Sequence, residues 1–260
     1  MNRPCEYRQQ EKSLVGGTRF AAGSLLRLTV GPSRTQRSDQ CPLRGTVPPM
    51  SSGAPDYGLI DRVGLGRSVF FPRPDATQPP DGATDFEIPV GNGITVAARM
   101  YKTDPGAPTF MHFHGNGEVV ADHDGIALMY REMGLNLVVV DFRGYGVGRG
   151  VPTFAALVGD ARPAAAEFHA RLDAARIVGP RIVMGRSLGA HPALEIAARC
   201  SERFCGLVIE SGAASLRRLV AVPDVGEQAH TLVTTHEEKI RGIRLPTLLL
   251  HGEYDEIGAA

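Results

Sequence analysis

The sequence predicts an α/β fold, built on a mostly parallel sheet with helices on both faces. From residue 108 onward, strand-like runs alternate with helix-like runs, which is the order that parallel βαβ units produce. The strand-like runs LNLVVVDF (135–142) and RIVMG (181–185) are nearly continuous in apolar residues, as in strands buried on both faces. Hydrophobic residues make up 43% of the 260 residues, which is enough to build a sizeable core.

The elements follow from these runs in chain order. Residues 86–90 and 94–101, joined by the turn GNG, predict an antiparallel hairpin after a Pro-rich run at 77–85. Gly134 is a helix stop signal, and Pro163 predicts a break or a new helix start. The predicted strands after the hairpin are 108–114, 135–142, 181–185, 206–210 and 247–250, and the predicted helices are 119–134, 154–172 and 187–200.

Residues 1–49 differ from the rest of the chain. They carry eight basic residues and three acidic ones, a net charge of +5, whereas the whole chain has a formal net charge of zero. They show neither helical nor strand periodicity and are rich in Arg, Gly, Ser, Gln and Pro. We interpret them as a disordered extension or as residues upstream of a true start at Met50. The folded domain is then expected over 50–260, with a short cap-like insertion at 212–245.

Composition narrows the class of protein. Zero net charge argues against nucleic acid or an anionic membrane as the main partner. The four cysteines show neither zinc spacing nor a disulfide framework, and no glycine-rich run with its lysine is typical of a phosphate loop. We therefore expect no metal and no cofactor. No apolar run is long enough to span a bilayer, and we expect a cytoplasmic protein.

The motif GRSLG (185–189) lies between the strand RIVMG and an Ala- and Leu-rich helix. This strand–turn–helix context is the one that a nucleophilic serine at a sharp turn requires. Gly185 and Gly189 suit a turn too tight for bulky side chains, and Ser187 would point from the carboxyl edge of the sheet. The alternative is an ordinary strand–helix connection in which Ser187 caps the helix.

The motif HFHGNGE (112–118) follows another predicted strand. Its His114–Gly115 pair predicts a loop that turns the backbone toward the site. The N–H groups of Asn116 and Leu188 would then stabilise the oxyanion of a tetrahedral intermediate. The alternative is a glycine-containing turn with a histidine that caps it.

Two further motifs follow strands. DFRGYG (141–146) permits a tight loop beside the site, and its Arg143 and Tyr145 are either structural anchors or substrate contacts. In HGEYDEI (251–257), Asp255 lies just past a strand end, where a carboxylate orients a histidine. Glu210, at the end of the preceding strand, is the rival acid.

In this order, HGNGE, DFRGYG, GRSLG and HGEYDE resemble the α/β-hydrolase superfamily, especially its serine-aminopeptidase-like branch, which also contains esterase- and lipase-like members. The resemblance covers about residues 55–258. It implies an eight-stranded, mostly parallel sheet and a Ser–Asp–His triad, with Ser187 as the nucleophile and Asp255 as the acid. It implies Asn116 and Leu188 as oxyanion donors, on loops supported by His114, Gly115, Gly185 and Gly189.

The chain departs from the family at the histidine. The triad order in this fold is Ser, Asp, His, and no histidine lies between Asp255 and Ala260. We expect the last strand and helix of the fold to be missing, and a serine without its base to give little turnover. The sequence thus predicts a serine hydrolase of esters, thioesters or amides with a small-molecule acyl substrate. The alternative is a non-catalytic binding module of the same fold.

Overall fold

A computed structural model describes residues 54–64, 69–212, 214–220 and 226–252. The predicted extension over 1–49, the alternative start at Met50 and the predicted acid Asp255 lie outside these residues. Helices and strands alternate from β3 onward, as the apolar runs predicted. The strands are β1 (Ala83–Gly91), β2 (Ile94–Tyr101), β3 (Thr109–Phe113), β4 (Asn136–Val140), β5 (Arg181–Arg186), β6 (Gly206–Glu210) and β7 (Thr247–Leu250).

Six α-helices connect or flank these strands in the described part of the chain. They are α1 (Gly58–Arg62), α2 (Asp124–Glu132), α3 (Phe154–Gly159), α4 (Ala161–Ala174), α5 (Ala190–Arg199) and α6 (Gly226–Arg241). Short 3₁₀ turns occur at Val120–His123, Ser187–Gly189, Ser201–Arg203 and Arg217–Val220.

The described strands form a single sheet in the order β1-β2-β4-β3-β5-β6-β7. β2 runs antiparallel to both of its neighbours, whereas β4, β3, β5, β6 and β7 are mutually parallel. The expectation of a mostly parallel sheet is confirmed. Because parallel strands end at the same edge, the loops after β3, β4, β5 and β6 leave the sheet together.

Alternate residues of β4 pack into two separate cores, one on each face of the sheet. Leu137 and Val139 pack with Val120 and Ala127, beneath α2. Val138 and Val140 belong to the larger core, to which α4 contributes Phe168 and Leu172 and α5 contributes Leu194 and Ile196. All five residues of β4 are therefore buried, and the predicted coverage of both faces by helices is confirmed.

The leading segment, residues 54–64, packs onto the domain. Leu59 and Ile60 of α1 are buried in the larger core. Both carboxylate oxygens of Asp61 accept hydrogen bonds from the first N–H groups of α3, at 2.7 Å from Phe154 and 3.0 Å from Ala155. Thr153 caps the same helix end, since its hydroxyl accepts from the N–H of Ala156 at 3.1 Å.

Some predicted boundaries were wrong. β1 begins at Ala83 rather than 86, because Thr84 and Asp85 pair across the hairpin with Met100 and Arg99. The predicted helix 187–200 begins with a 3₁₀ turn and becomes α-helical only at Ala190. β7 matches its predicted bounds, but all four of its residues are exposed, since among the described strands it pairs only with β6. The predicted break near Pro163 is confirmed, with Pro163 in the first turn of α4.

Candidate active site

Two sequence motifs meet at the carboxyl edge of the sheet. Phe113 of β3 lies opposite Gly185 of β5 in the parallel register, so the loops that begin at His114 and Arg186 leave from neighbouring strand ends. The backbones touch there: a Cβ atom placed on Gly189 would lie 2.1 Å from the carbonyl oxygen of Phe113. The HGNGE loop and the GRSLG turn therefore form one packed unit.

The turn at Ser187 is as sharp as its sequence predicts. Ser187 has a φ of 50°, in the left-handed region that is unfavourable for a residue with a side chain. A Cβ atom on Gly185 would lie 2.2 Å from the carbonyl oxygen of Gly189, so the flanking glycines are a steric requirement. The side chain of Ser187 is exposed at the start of the 3₁₀ turn that leads into α5.

Residues Gly115 to Glu118 form a reverse turn. The N–H of Glu118 donates to the carbonyl oxygen of Gly115 at 3.3 Å, and Gly117 has a φ of 78°, as the third residue of a type II turn requires. The carboxylate of Glu118 also reaches back and accepts from the N–H of Gly115 at 2.9 Å. Asn116 lies inside this turn, and its own N–H has no acceptor among the described residues.

The side chain of Asn116 has a role that the sequence did not reveal. Its Oδ1 accepts from the N–H of Phe71 at 3.0 Å and from the hydroxyl of Tyr145 at 2.7 Å, and its Nδ2 donates to the carbonyl oxygen of Val69. Burial raises the pKa of Tyr145 to about 12, so its hydroxyl stays protonated and donates. Asn116 thereby ties the segment before β1 to the HGNGE loop.

His114 lies under this loop. It is fully buried, with Nδ1 2.7 Å from the carbonyl oxygen of Gly115 and Nε2 3.1 Å from Oδ1 of Asp141. The same carboxylate oxygen accepts from the N–H of Val120 at 2.9 Å. Asp141 follows β4 directly, so the DFRGYG and HGNGE loops are joined through a buried His–Asp pair.

Two of the other buried histidines make hydrogen bonds elsewhere in the domain. His169 contacts Arg181 at 2.9 Å, and His236 contacts the hydroxyl of Tyr57 at 2.9 Å and the carbonyl oxygen of Ala214 at 2.8 Å. Burial lowers the pKa of His191 to about 3 and holds the pKa of His112 well below its usual range. None of the hydrogen bonds that these buried side chains make within the described residues reaches Ser187.

The structure decides between the alternatives for Arg143 and Tyr145. Both guanidinium contacts of Arg143 with Asp160 measure 2.6 Å, and Arg143 also donates to the carbonyl oxygen of Val90. Tyr145 is fully buried. Both residues are structural anchors of the loop after β4.

Arg186 and Glu118 are site residues that the motif analysis did not single out. The guanidinium Nη1 of Arg186 contacts Oε1 of Glu118, and its Nε lies 3.9 Å from Oε1 of Glu210. The rival acid Glu210 thus faces the arginine that precedes Ser187. Each residue lies inside one of the two motifs, but their pairing spans 68 positions and is not visible in the local sequence.

A cavity of about 280 Å³ lies elsewhere, against β1, β2 and the loop after β4. Its lining includes Arg99, Asp85 and Asp141 but not Ser187. Across the described ranges, no group of three His, Cys, Asp or Glu side chains is placed to hold a metal ion. Nor does any helix within them have the length and apolar character needed to cross a membrane.

Residues 105–236, just over half of the chain, match the protein family described as serine aminopeptidase, S33. Protein bem46 of Schizosaccharomyces pombe is 29% identical over 58% of this chain and 52% of its own length. Human alpha/beta hydrolase domain-containing protein 17B is 27% identical over 68% of this chain and 60% of its own. The chain thus spans between half and two thirds of the length of these two curated relatives.

Two solved structures share the fold. An esterase from Pyrococcus furiosus superposes with a TM-score of 0.51 at 20% identity, over 70% of this chain and 76% of that one. Est1E from Butyrivibrio proteoclasticus gives a TM-score of 0.50 at 16% identity, over 66% and 79% of the two chains.

Proposed function

The chain belongs to the S33 serine aminopeptidase family of the α/β-hydrolase superfamily, and from this premise we propose that it is a serine hydrolase of acyl compounds. Ser187 is the proposed nucleophile, and the bond cleaved is a carboxylic ester, thioester or amide. The whole protein's activity and substrates are part of this proposal.

One observation carries the proposal: the conformation of Ser187. A positive φ at a residue with a side chain is unfavourable and persists only where the surroundings impose it. Here Gly185 and Gly189 allow the backbones to approach within distances that any Cβ atom would forbid. The result is a serine hydroxyl lifted from the sheet edge at the start of a helix, where the positive end of the helix dipole favours developing negative charge.

The reaction follows from these positions. The Ser187 oxygen attacks the acyl carbon, its proton passes to a base, and the carbonyl electrons move onto the oxygen. The N–H groups of Asn116 and Leu188 stabilise this oxyanion, and its collapse expels the leaving group with a proton. Water then releases the acyl group by the same two steps.

The triad member that these 260 residues do not supply is the histidine that acts as the base. The family order places a histidine after Asp255, and the five residues that follow Asp255 contain none. An assay of these 260 residues therefore includes imidazole in solution as a base, and we expect imidazole to raise the rate. Such a rescue requires the nucleophile and the oxyanion donors to be in place already.

Fluorophosphonate labelling tests the proposal. The folded chain, with and without imidazole, is treated with the probe, and the modified residue is located by mass spectrometry. We expect label at Ser187, none in Ser187→Ala, and unchanged labelling in Ser201→Ala, a matched substitution of a serine in another 3₁₀ turn. Hydrolysis of p-nitrophenyl esters under the same conditions should depend on Ser187.

A folded chain that stays unlabelled at Ser187 in the presence of imidazole would overturn the proposal. The non-catalytic binding module then becomes the better description, and it predicts specific retention of a partner by the chain without ester hydrolysis.

A further inference from the structure

We propose that Arg186 and Glu118 are positioning residues, which clamp the HGNGE loop against the turn that carries Ser187. The inference rests on the proposed function, because it concerns where the oxyanion donors lie. It assigns a role to two charged side chains that belong neither to the triad nor to the oxyanion donors.

Glu118 is the centre of the clamp. One of its carboxylate oxygens contacts the guanidinium of Arg186, and the other accepts from the N–H of Gly115 at 2.9 Å. A single carboxylate therefore joins the start of the HGNGE loop to the residue that precedes the proposed nucleophile. The side chain of Glu118 is 23% exposed, so water competes only in part for these contacts.

The contact with Gly115 matters because of what lies between the two residues. Gly115 and Glu118 are the ends of a four-residue turn, and Asn116 is its second residue. The backbone bond that closes this turn is long, at 3.3 Å, whereas the bond from the Glu118 carboxylate is shorter. The carboxylate thus supplies the shorter of the two hydrogen bonds that join the ends of the turn containing the Asn116 N–H.

Arg186 is held at the other end. It closes β5, opposite Glu210 in β6, so its backbone cannot shift without disturbing the sheet. Oε1 of Glu210 lies 3.9 Å from its Nε, so a second carboxylate is within ion-pairing distance of the guanidinium. Arg186, Ser187 and Leu188 are consecutive. A guanidinium held in place therefore fixes the position of the HGNGE loop relative to Leu188, the second proposed oxyanion donor.

The exposure of Arg186 distinguishes a positioning role from a role in folding stability. The side chain of Arg186 is 44% exposed, and ion pairs at such sites contribute little to folding. A donor displaced from the oxyanion, in contrast, slows the chemical step by roughly a hundredfold or more. The clamp therefore predicts variants that fold normally but react slowly.

The test compares Arg186→Gln, Glu118→Ala and the double variant with Arg203→Gln. The control removes an arginine of similar exposure, 42% against 44%, which pairs with Asp173 away from Ser187. The readouts are the labelling rate at Ser187, kcat and KM for ester hydrolysis with imidazole, and the melting temperature. We expect each clamp variant to lower kcat and the labelling rate about ten- to a hundredfold, with KM and the melting temperature little changed.

Two finer results are expected. Because the two residues act as one unit, the double variant should be no slower than the slower single variant. Glu118→Gln and Arg186→Lys should recover part of the rate, since the amide oxygen still accepts from Gly115 and the ammonium keeps the charge.

The outcomes separate the two proposals. Labelling of the unmodified chain with equal rates in Arg186→Gln and Glu118→Ala overturns the clamp alone. The clamp is also overturned if the slow variants lose melting temperature as well as rate. It is overturned likewise if Arg203→Gln loses as much rate as the clamp variants do. Absence of labelling in the unmodified chain overturns the proposed function, and the clamp's role with it.

Discussion

Replacing Gly189 by alanine isolates the steric requirement of the turn at Ser187. Gly189 has a φ of −63°, which alanine adopts freely, so the substitution imposes no backbone strain of its own. The added Cβ atom would lie 2.1 Å from the carbonyl oxygen of Phe113 and 2.6 Å from that of His114. Both of these atoms are backbone, and neither can rotate away.

The size of the effect follows from that geometry. Overpacking a core by a methylene group costs about 1–3 kcal/mol when side chains can adjust. Here β3 and the start of α5 must separate by more than an ångström, so we expect a loss of about 3 kcal/mol or more. For a domain of this size, each kcal/mol lowers the melting temperature by about 2–4 °C, which predicts a fall of roughly 6–12 °C.

Thermal unfolding monitored by circular dichroism measures this fall. Gly125→Ala is the control, because Gly125 lies on the exposed side of α2 and no atom lies within 4 Å of an added Cβ. That variant should melt at or slightly above the unmodified chain, since alanine is the better helix former. A Gly189→Ala chain that melts within a degree or two of the unmodified one would refute the steric argument.

Two further predictions concern buried ionisable groups. Lys239→Met should lower the free energy of unfolding in urea by about 3 kcal/mol, because it removes a buried ammonium that lies 2.8 Å from the largely buried carboxylate of Glu195. The exposed control Arg241→Met should cost under about 0.5 kcal/mol, and equal costs would contradict this prediction. Burial lowers the pKa of His169 to about 3 and that of His236 to about 4, against about 6.5 when unfolded. The unfolded chain therefore binds more protons below pH 6.5, so stability should fall as the pH drops toward 4, by up to about 1.4 kcal/mol per unit for each histidine. His236→Gln should flatten this slope in urea titrations at pH 7 and pH 5, and a midpoint independent of pH would show the reasoning to be wrong.

The fold was predictable because its strands are read from short apolar runs. β2, β6 and β7 have the bounds that their runs predict, and three predicted helical runs correspond to α2 to α5. α6, between β6 and β7, was not predicted as a helix, because 212–245 was interpreted as a cap-like insertion. The first residues of β1 were missed because Asp85 is polar. It is held by Arg99, whose Nε and Nη2 donate to its carboxylate at 2.6 Å and 2.8 Å, and such a partner is invisible in the local sequence.

The turn of the candidate site was predictable, because its geometry depends on residues that are neighbours in the sequence. A sharp turn is predicted by Gly185, Ser187 and Gly189, because the residues that must lack a side chain are close to the serine in the chain. The contact of Arg186 with Glu118 depends instead on the register of β3 against β5, which brings distant residues together. The roles of Ser187, Leu188 and Asn116 in catalysis stay predictions, and Asp255 lies outside the described residues.

The docking of α1 has a consequence for how the chain folds as it is synthesised. The hydroxyl of Tyr57 contacts His236, 179 positions later, and Lys239, 182 positions later. At about 5–20 residues per second, roughly 10–40 s separate the synthesis of these partners. Tyr57 must wait through that interval without these two hydrogen-bond partners. A nascent chain halted before α6 should thus leave Tyr57 more accessible to chaperones or proteases, although the strands up to β6 have already been synthesised.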